Sequence, residues 1–460
     1  RVFADDTLDT RSNTHPTHVA LQTDTYILKG DGEETWQPRF TLHGFRYVEV
    51  TAHPSTPEIL LVEGQSVHSA VRSSGSFRCS HPLLNRIHDT VRRTFACCLQ
   101  SMPQDAMDRA ERVAWLGDPG MVAEDIIYNF QTAAFWRKWL DDLRDAQRPD
   151  GALPFVCPIH WRNDFSPYNL LPVWQSTYPL FVRAVYHYYG DRRVLAEHFA
   201  GMKQLVAYLE SQAQDHIIRS GLGDHMEPQA DGTSSSGPVR TPAALTSTAY
   251  FYEDVRIVAE AAQVLGKRDE ALHYTALAET IRAAFNRAFF DLQTNQYATG
   301  SQTANALALE LDLVPPAHRA AVLANLVESI QVRGAGHLAT GIVGTNALEQ
   351  VLPAQGRSDV MFRIATQTTF PSWGHQVLHG ATTLWESWED PSERQYSLNM
   401  KMLGSSQKFL YHDLAGIRAT APGFREIAIA PQLVAGLDWV EGAVKTGYGP
   451  IAASWRRVEK

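Results

Sequence analysis

The sequence predicts a mainly α-helical protein with β structure at both ends. Apolar side chains recur at helical spacing through residues 83–414, as at Val255, Val258 and Ala262, which places them on one face of a helix. Gly266 follows that run as a helix stop signal. We expect roughly a dozen such helices.

Loops that carry Gly, Pro or Asp join many of these helical segments, for example at residues 190–191 and 314–316. Repeated helical hairpins of this kind form either an open solenoid or a closed barrel. The sequence lacks the strict consensus of a tetratricopeptide array. We expect the helical domain to span residues 76–420.

Strand-forming sequence lies on both sides of the helical domain. Residues 41–50 and 59–62 are rich in β-branched, aromatic and other apolar side chains, and they predict strands in an N-terminal β domain over residues 1–75. Short alternating runs at 427–431 and 443–449 predict a small β domain over residues 421–460.

Composition narrows the function classes. The chain has 460 residues, 44% of them hydrophobic, and a net charge of −9. Nucleic acid is therefore not an expected partner, because its phosphates require a basic surface. No apolar run reaches the length of a membrane span, and a membrane is not expected as a partner either.

The cysteines and histidines do not predict a metal site. The four cysteines have no paired C-x-x-C spacing, and the histidines form no H-E-x-x-H motif. We expect buried free thiols, with one disulfide left open, and neither a metal nor a cofactor. The chain begins at Arg1 without a signal peptide, which predicts a mature or trimmed product. A secreted or periplasmic location is favoured over a cytoplasmic one.

An acidic stretch over residues 105–118 has the composition of a sugar site. Carboxylates bind hydroxyls and move protons, arginine fixes carboxylates, and an indole face stacks on a pyranose ring. The relevant residues are Asp105, Arg109, Glu111, Trp115 and Asp118. Arg109 and Glu111 are alternatively a solvated pair on a helix face, and Asp118 a simple turn or capping residue.

A second carboxylate lies between indoles much later in the chain, at Glu386 between Trp385 and Trp388. Glycoside hydrolysis needs two carboxyl groups, one on each side of the anomeric carbon. Glu111 and Glu386 must then converge in a closed fold. The alternative for each tryptophan is a place in the core.

Four nearby residues have simpler interpretations. Asp108 is expected at a helix start, and Glu389 and Asp390 as ordinary loop acids. His375 is expected as a hydrogen-bonded wall residue rather than a catalyst.

Both acidic segments resemble those of the α-L-rhamnosidases of glycoside hydrolase family 78. The first follows the pattern D-x-x-x-R-x-E and then G-W-x-G-D, with Ala114 in place of the first glycine, and the second follows G-A-T-T-x-W-E-x-W. Residues 40–50, 300–309, 341–345 and 370–374 resemble further family segments in the same order. The similarity covers nearly the whole chain.

The resemblance implies an (α/α)6 barrel with an N-terminal β-sandwich and a small C-terminal β domain. It implies inverting hydrolysis of terminal α-L-rhamnosyl linkages in plant or algal glycans or glycosides. Glu111 would be the general acid and Glu386 the general base. Inverting sites hold these carboxyl groups roughly 6.5–9.5 Å apart, which leaves room for a water molecule.

The implied substrate contacts include two departures from the family. His225 stands where the family has tryptophan, and Met400 where it has histidine. We therefore expect an altered or narrower specificity. The full set of expected contacts is Asp105, Arg109, Trp115, Asp118, Trp174, His225, Trp373, Trp385 and Met400.

Other functions remain open at this point. They are a related glycosidase or a lyase on the same barrel, with an altered sugar specificity, and a carbohydrate-binding protein without catalysis. A carbohydrate is the expected partner in each case. The sequence leaves the oligomeric state open.

Overall fold

The computed structural model describes residues 2–3, 23–45, 47–51, 58–108, 111–159, 166, 168–390 and 396–458. Within these residues there are fourteen α-helices: α1 Pro82–Cys98, α2 Gly117–Met121, α3 Ala123–Asn129, α4 Ala133–Ala146, α5 Pro172–Gln175, α6 Thr177–Tyr189, α7 Arg192–Gln212, α8 Ala243–Leu265, α9 Arg268–Phe289, α10 Gln302–Glu310, α11 Arg319–Glu328, α12 Ile342–Ala354, α13 Ser358–Ala365 and α14 Trp373–Leu378.

The strands are short and lie mainly at the two ends of the chain: β1 Val2–Phe3, β2 Tyr47–Val48, β3 Arg72–Ser73, β4 Gly75–Cys79, β5 Phe130–Gln131, β6 Glu227–Pro228, β7 Ser234–Ser235, β8 Phe290–Asp291, β9 Gln296–Tyr297, β10 Ile417–Ala419, β11 Ile427–Ile429, β12 Trp439–Thr446 and β13 Gly449–Arg456. Tighter or wider helical turns cover Pro316–His318, Ser329–Arg333, Phe409–Leu414 and Pro422–Phe424.

The helices form an inner and an outer ring. α10 buries eight of its nine residues, whereas α9 buries six of twenty-two along one face, as expected for a helix with a solvent side. Consecutive helices pack as hairpins, including α6 with α7, α8 with α9 and α10 with α11. α1 packs against α14, so the ring closes. The fold is an α-rich barrel with flanking β regions, as predicted, and not a solenoid.

Chain segments from both sides of the barrel build the C-terminal sheet. β12 pairs with β13 on one side and with β4 on the other, both antiparallel. Residues 76–79, the first of the predicted helical domain, therefore belong to this sheet instead. The predicted strand at 427–429 is β11, and it pairs with β10.

The structure agrees only in part with the two N-terminal strand predictions. Among the described residues of the range 41–50, only Tyr47–Val48 forms a strand, which pairs with Val2–Phe3. Residues 59–62 are exposed and form no strand, so that prediction is wrong. β propensity alone does not make a strand without a partner to complete the hydrogen bonds, and none of the described residues pairs with 59–62.

Three further observations complete the fold. α8 ends at the predicted Gly266, which adopts φ 76°, a left-handed conformation that suits glycine. All four cysteines are free, and Cys79, Cys98 and Cys157 are buried. Among the described residues, no helix has the length and apolar character to cross a membrane.

Candidate active site

The loop between α1 and α2 carries the first acidic cluster. Asp105 is fully buried. Its backbone N–H donates to Val113 O (2.8 Å), and its Oδ1 accepts the Val113 N–H (2.9 Å). This reciprocal pair closes the loop on itself and holds Glu111 inside it. Arg109 lies outside the described residues.

Glu111 is held by the indole of Trp115. The Trp115 Nε1–H donates to Glu111 Oε1 at 2.7 Å. The ring of Phe155 stacks on the Trp115 indole, with ring centroids 5.2 Å apart and ring planes 14° apart. Glu111 lies in a loop and not in a helix. For Glu111, the alternative of a position on a helix face is therefore wrong.

The segment after α14 carries the second carboxylate. Glu386 is only 7% exposed. Its N–H donates to Ser397 O (2.9 Å), and its Oε2 accepts the Ser397 N–H (2.8 Å). The backbone N–H of the neighbouring Trp385 donates to Gln376 Oε1 at 3.3 Å. These bonds fix both the backbone and the carboxylate of Glu386.

Hydrogen bonds join the two acidic segments directly. Ala106 and Met400 face each other in an antiparallel bridge. Asp108 accepts the Ser397 hydroxyl and the Leu398 N–H, the latter at 2.6 Å. Asp108 was expected at a helix start, but no helix begins there. Its carboxylate instead crosslinks two loops, an arrangement that depends on tertiary contact and leaves no local sequence signal.

Asp118 lies within electrostatic reach of both catalytic candidates. It is 3% exposed, in the first turn of α2. Burial is the main reason that its pKa is raised to about 6; Lys401 opposes the rise, and the charges of Glu111 and Glu386 add to it. Three carboxyl groups are thus gathered at one place. Asp118 does lie at a helix start, as the turn or capping alternative expected, but it is buried there.

Trp174 and His225 lie beside the start of α2. A Cβ added to Gly117 would come within 2.3 Å of the Trp174 ring, so the indole lies directly on that backbone. The rings of Trp174 and His225 meet edge to face, with centroids 5.6 Å apart. His225 Nδ1 lies 2.7 Å from Ser236 O, and burial lowers its pKa. A neutral imidazole at this position provides hydrogen-bonding capacity without charge.

The remaining predicted contacts differ in exposure. Trp385 and Met400 are each 5% exposed, and Met400 N–H donates to Leu384 O at 3.0 Å. Trp373 has no exposed surface; its Nε1–H donates to Leu403 O (2.7 Å), and its ring packs on Trp388. We therefore assign Trp373 a packing role behind the site rather than a sugar contact.

Two buried charged residues near the site were missed by sequence reasoning. Glu389 is 2% exposed, and its Oε2 accepts the Ser234 N–H at 3.1 Å, so it is not an ordinary loop acid. Lys401 is fully buried, and its Nζ donates to Pro103 O and Gln104 O. In the sequence, the only indication that Glu389 and Lys401 belong near the site was their position directly after Trp388 and Met400.

The described residues contain no group of three or more His, Cys, Asp or Glu side chains arranged to hold a metal ion. The chemistry of the site that these residues form is that of carboxyl groups and aromatic rings.

The chain matches three domain models in order. They are the bacterial α-L-rhamnosidase concanavalin-like domain over residues 3–71, the 6 hairpin glycosidase domain over 72–414 and the C-terminal domain over 416–460. The central match covers most of the chain. The chain belongs to the bacterial α-L-rhamnosidase family.

Curated relatives agree with this assignment. An α-L-rhamnosidase of Streptomyces avermitilis is 35% identical over 447 residues, which are 95% of this chain and 42% of the relative. One of Formosa agariphila is 31% identical over 446 residues, 95% of this chain and 47% of the relative. The chain thus spans less than half the length of these α-L-rhamnosidases.

Solved structures of α-L-rhamnosidases have the same fold. The enzyme of Dictyoglumus thermophilum superimposes with a TM-score of 0.87 at 38% identity, covering 92% of this chain and 47% of that one. The Streptomyces avermitilis enzyme, solved with L-rhamnose, gives 0.85 at 34% identity, covering 94% and 41%.

Proposed function

We propose that this chain carries the catalytic domain of an inverting α-L-rhamnosidase, with Glu111 as general acid and Glu386 as general base. The observation that carries the proposal is the set of hydrogen bonds that joins the two acidic segments, from Ser397 and Leu398 to Asp108 and from Ser397 to Glu386. The similarity to α-L-rhamnosidases over 95% of the chain supports the sugar specificity.

The proposed reaction is a single displacement. Glu111 gives its proton to the glycosidic oxygen as the bond to the anomeric carbon breaks. Glu386 takes a proton from a water molecule, whose oxygen attacks the same carbon from the opposite face. The products are β-L-rhamnose and the free aglycone alcohol. Glu111 has lost one proton, and Glu386 has gained one.

The neighbouring contacts suit these two roles. The Trp115 N–H fixes Glu111 Oε1, and the Ser397 N–H fixes Glu386 Oε2, so each carboxylate keeps one oxygen bound to the protein. These bonds hold each carboxylate in a defined orientation, which is the basis of catalysis by positioning.

We propose that the sugar lies against the indoles and the polar groups around α2. Trp115, Trp174 and Trp385 supply aromatic surface, and Asp118 and His225 supply polar groups. Asp105 acts through the closed loop that it forms with Val113. Met400 places a thioether on the wall, and it is the residue that we expect to narrow the specificity.

Proton NMR during hydrolysis of an aryl α-L-rhamnoside tests the reaction. We expect β-L-rhamnose in the first minutes, before mutarotation. Early α-L-rhamnose would mean retention and would make Glu386 a nucleophile. An unsaturated product that absorbs in the ultraviolet would identify a lyase, and binding without turnover would identify a carbohydrate-binding protein.

Two substitutions separate the acid from the base. Glu386→Gln should lower kcat by at least about 10³-fold on every substrate, because every substrate needs an activated water. Glu111→Gln should be comparably harmful on alkyl rhamnosides and much less so on an aryl rhamnoside with an acidic leaving phenol, which needs little protonation. The exposed Glu441→Gln is the control and should leave both rates unchanged. Equal losses for Glu111→Gln on both substrate types would contradict its role as acid.

A further inference from the structure

A cavity lies where the barrel meets the C-terminal β region. Its volume is about 590 Å³, within the range of small-ligand sites, roughly 300–1,000 Å³. It is formed by the ends of α3 and α6, by the turn Pro422–Phe424 and by the hairpin between β12 and β13.

This cavity is at the opposite end of the barrel from the carboxylates. α6 connects the two places. Thr177, at its start, donates from Oγ1 to Leu116 O (2.8 Å), next to Asp118, and Tyr189, at its end, lines the cavity. The thirteen residues of α6 span about 20 Å at ~1.5 Å per residue. The cavity is therefore separate from the candidate active site.

The cavity wall is aromatic and basic. Among the described residues that line it, seven are aromatic, Arg192, Arg425 and Lys445 are cationic, and none is acidic. This sign is opposite to the net charge of the chain, −9. Tyr448 is 74% exposed at the rim, and Arg425 and Lys445 are exposed as well.

The floor of the cavity is fixed by hydrogen bonds. The Tyr188 hydroxyl donates to Glu124 Oε1 at 2.6 Å, and the Tyr189 oxygen accepts the Thr132 N–H at 3.1 Å. Tyr188 also packs against Phe424 with centroids 6.0 Å apart. The aromatic surface is thus held in place before any ligand arrives, while the cations at the rim are accessible.

We propose that this cavity is a second carbohydrate-binding site, which takes a saccharide that carries carboxylate groups. The choice of a saccharide rests on the proposed glycosidase function. Ring faces such as that of Tyr448 suit the apolar face of a pyranose. A guanidinium such as that of Arg425 binds a carboxylate through two parallel hydrogen bonds. A neutral sugar has no carboxylate to accept them. The site would hold an acidic glycan without contributing to hydrolysis.

Binding of trigalacturonate, measured by isothermal titration calorimetry, tests the site. We expect trigalacturonate to bind at least about tenfold more tightly than a neutral galactotriose, and the difference to shrink as salt rises. Arg425→Gln and Tyr448→Ala should each weaken binding by about 5–10-fold, within the range of single interface contacts. Both residues are exposed, so the fold should tolerate the changes. The exposed Arg268→Gln is the matched control and should bind like the unsubstituted protein.

Hydrolysis of a small aryl α-L-rhamnoside is measured on the same proteins. Its kcat/KM should be unchanged in Arg425→Gln and Tyr448→Ala. Equal affinity for the charged and neutral trisaccharides, or unchanged binding in both variants, would overturn the proposal. So would binding that Glu386→Gln abolishes, since the ligand would then occupy the active site. A dimer in light scattering that Tyr448→Ala dissociates would assign the cavity to a second copy of the chain, and would equally overturn it. Failure of hydrolysis alone would contradict only the proposed function.

Discussion

At the scale of single residues, the charge of Asp118 determines how the site responds to pH. Burial raises its pKa from 3.8 to about 6. Between these values the folded protein binds more protons than the unfolded chain. The free energy of unfolding therefore falls as pH rises from about 4 to about 6, and the loss is complete above that range. The site retains a buried carboxylate at neutral pH at a cost in stability.

Asp118→Asn should remove this cost, because the amide stays neutral. Relative to the unsubstituted protein, the variant should gain up to about 3 kcal/mol in free energy of unfolding on going from pH 4 to pH 8. Its kcat/KM should fall by about 10²-fold or more, since a charged hydrogen-bonding group is lost. Urea unfolding at the two pH values measures the first effect. Asp145→Asn, at a carboxylate that is 76% exposed, should show no such gain. A stability difference that is the same at both pH values would contradict the assignment.

Met400 provides a test of specificity at the same scale. Met400→His should raise kcat/KM on simple aryl rhamnosides by about tenfold, because the imidazole supplies a hydrogen bond that the thioether lacks, worth about 1–1.5 kcal/mol. Met400→Leu keeps an apolar side chain of similar volume and serves as control. If the histidine variant has the same kinetics as the leucine variant, position 400 does not contact the substrate.

At the scale of elements, two loops rather than two helices form the site. The loop that holds Glu111 and the segment that holds Glu386 meet through Asp108, which accepts hydrogen bonds from Ser397 and Leu398. This contact is independent of the substrate, so it can set the distance between the proposed acid and the proposed base before binding.

Asp108→Ala should loosen that connection without removing either catalytic group. We expect kcat to fall by about 10–10²-fold with a smaller change in KM, because misplacement of catalytic groups by about 1 Å has effects of this size. Ser397→Ala removes only the hydroxyl bond, while the Leu398 N–H bond remains, and its loss in kcat should be smaller. Steady-state kinetics on one aryl rhamnoside measures both. An equal or greater effect of Ser397→Ala would contradict the proposed connection.

The same loops mark the limit of what the sequence could predict. Local composition and the family resemblance predicted Glu111, Glu386 and Asp118 as site residues, because the acidic and aromatic side chains around each are distinctive. Neither identified the role of Asp108 or the burial of Glu389, because their partners at Ser397 and Ser234 are distant in sequence. In the sequence, Trp373 could not be distinguished from the indoles that we propose as sugar contacts, since tertiary contacts decide the side of a loop on which a ring packs.

At the scale of the whole molecule, the barrel closes through buried carboxylates on two inner helices. Asp125 Oδ1 in α3 accepts the backbone N–H groups of Ser406, Gln407 and Lys408, at 3.1, 2.6 and 3.0 Å. Glu349 in α12 accepts the next one, from Phe409, at 3.0 Å. The early and late parts of the helical domain are joined there by four backbone donors that would otherwise be buried without partners.

Helical periodicity predicted roughly a dozen helices over residues 83–414, but not which of them meet at this point. Periodicity carries no information about ring closure. It therefore could not decide between a closed barrel and an open solenoid. Closure depends on single buried acceptors such as Asp125, and an aspartate within a helical run reads as an ordinary polar position until its distant partners are known.

Asp125→Ala should therefore destabilise the whole barrel. Three buried N–H groups would lose their acceptor, at about 1–3 kcal/mol each, so we expect a loss of at least about 3 kcal/mol in free energy of unfolding. Asp125→Asn retains one carbonyl oxygen in nearly the same place and should lose less. Hydrogen exchange provides the decisive readout, because the amides of Ser406 to Lys408 should lose protection first in the alanine variant, ahead of those in α8. Uniform loss of protection across both regions, or equal stability of the two variants, would mean that closure does not depend on this carboxylate.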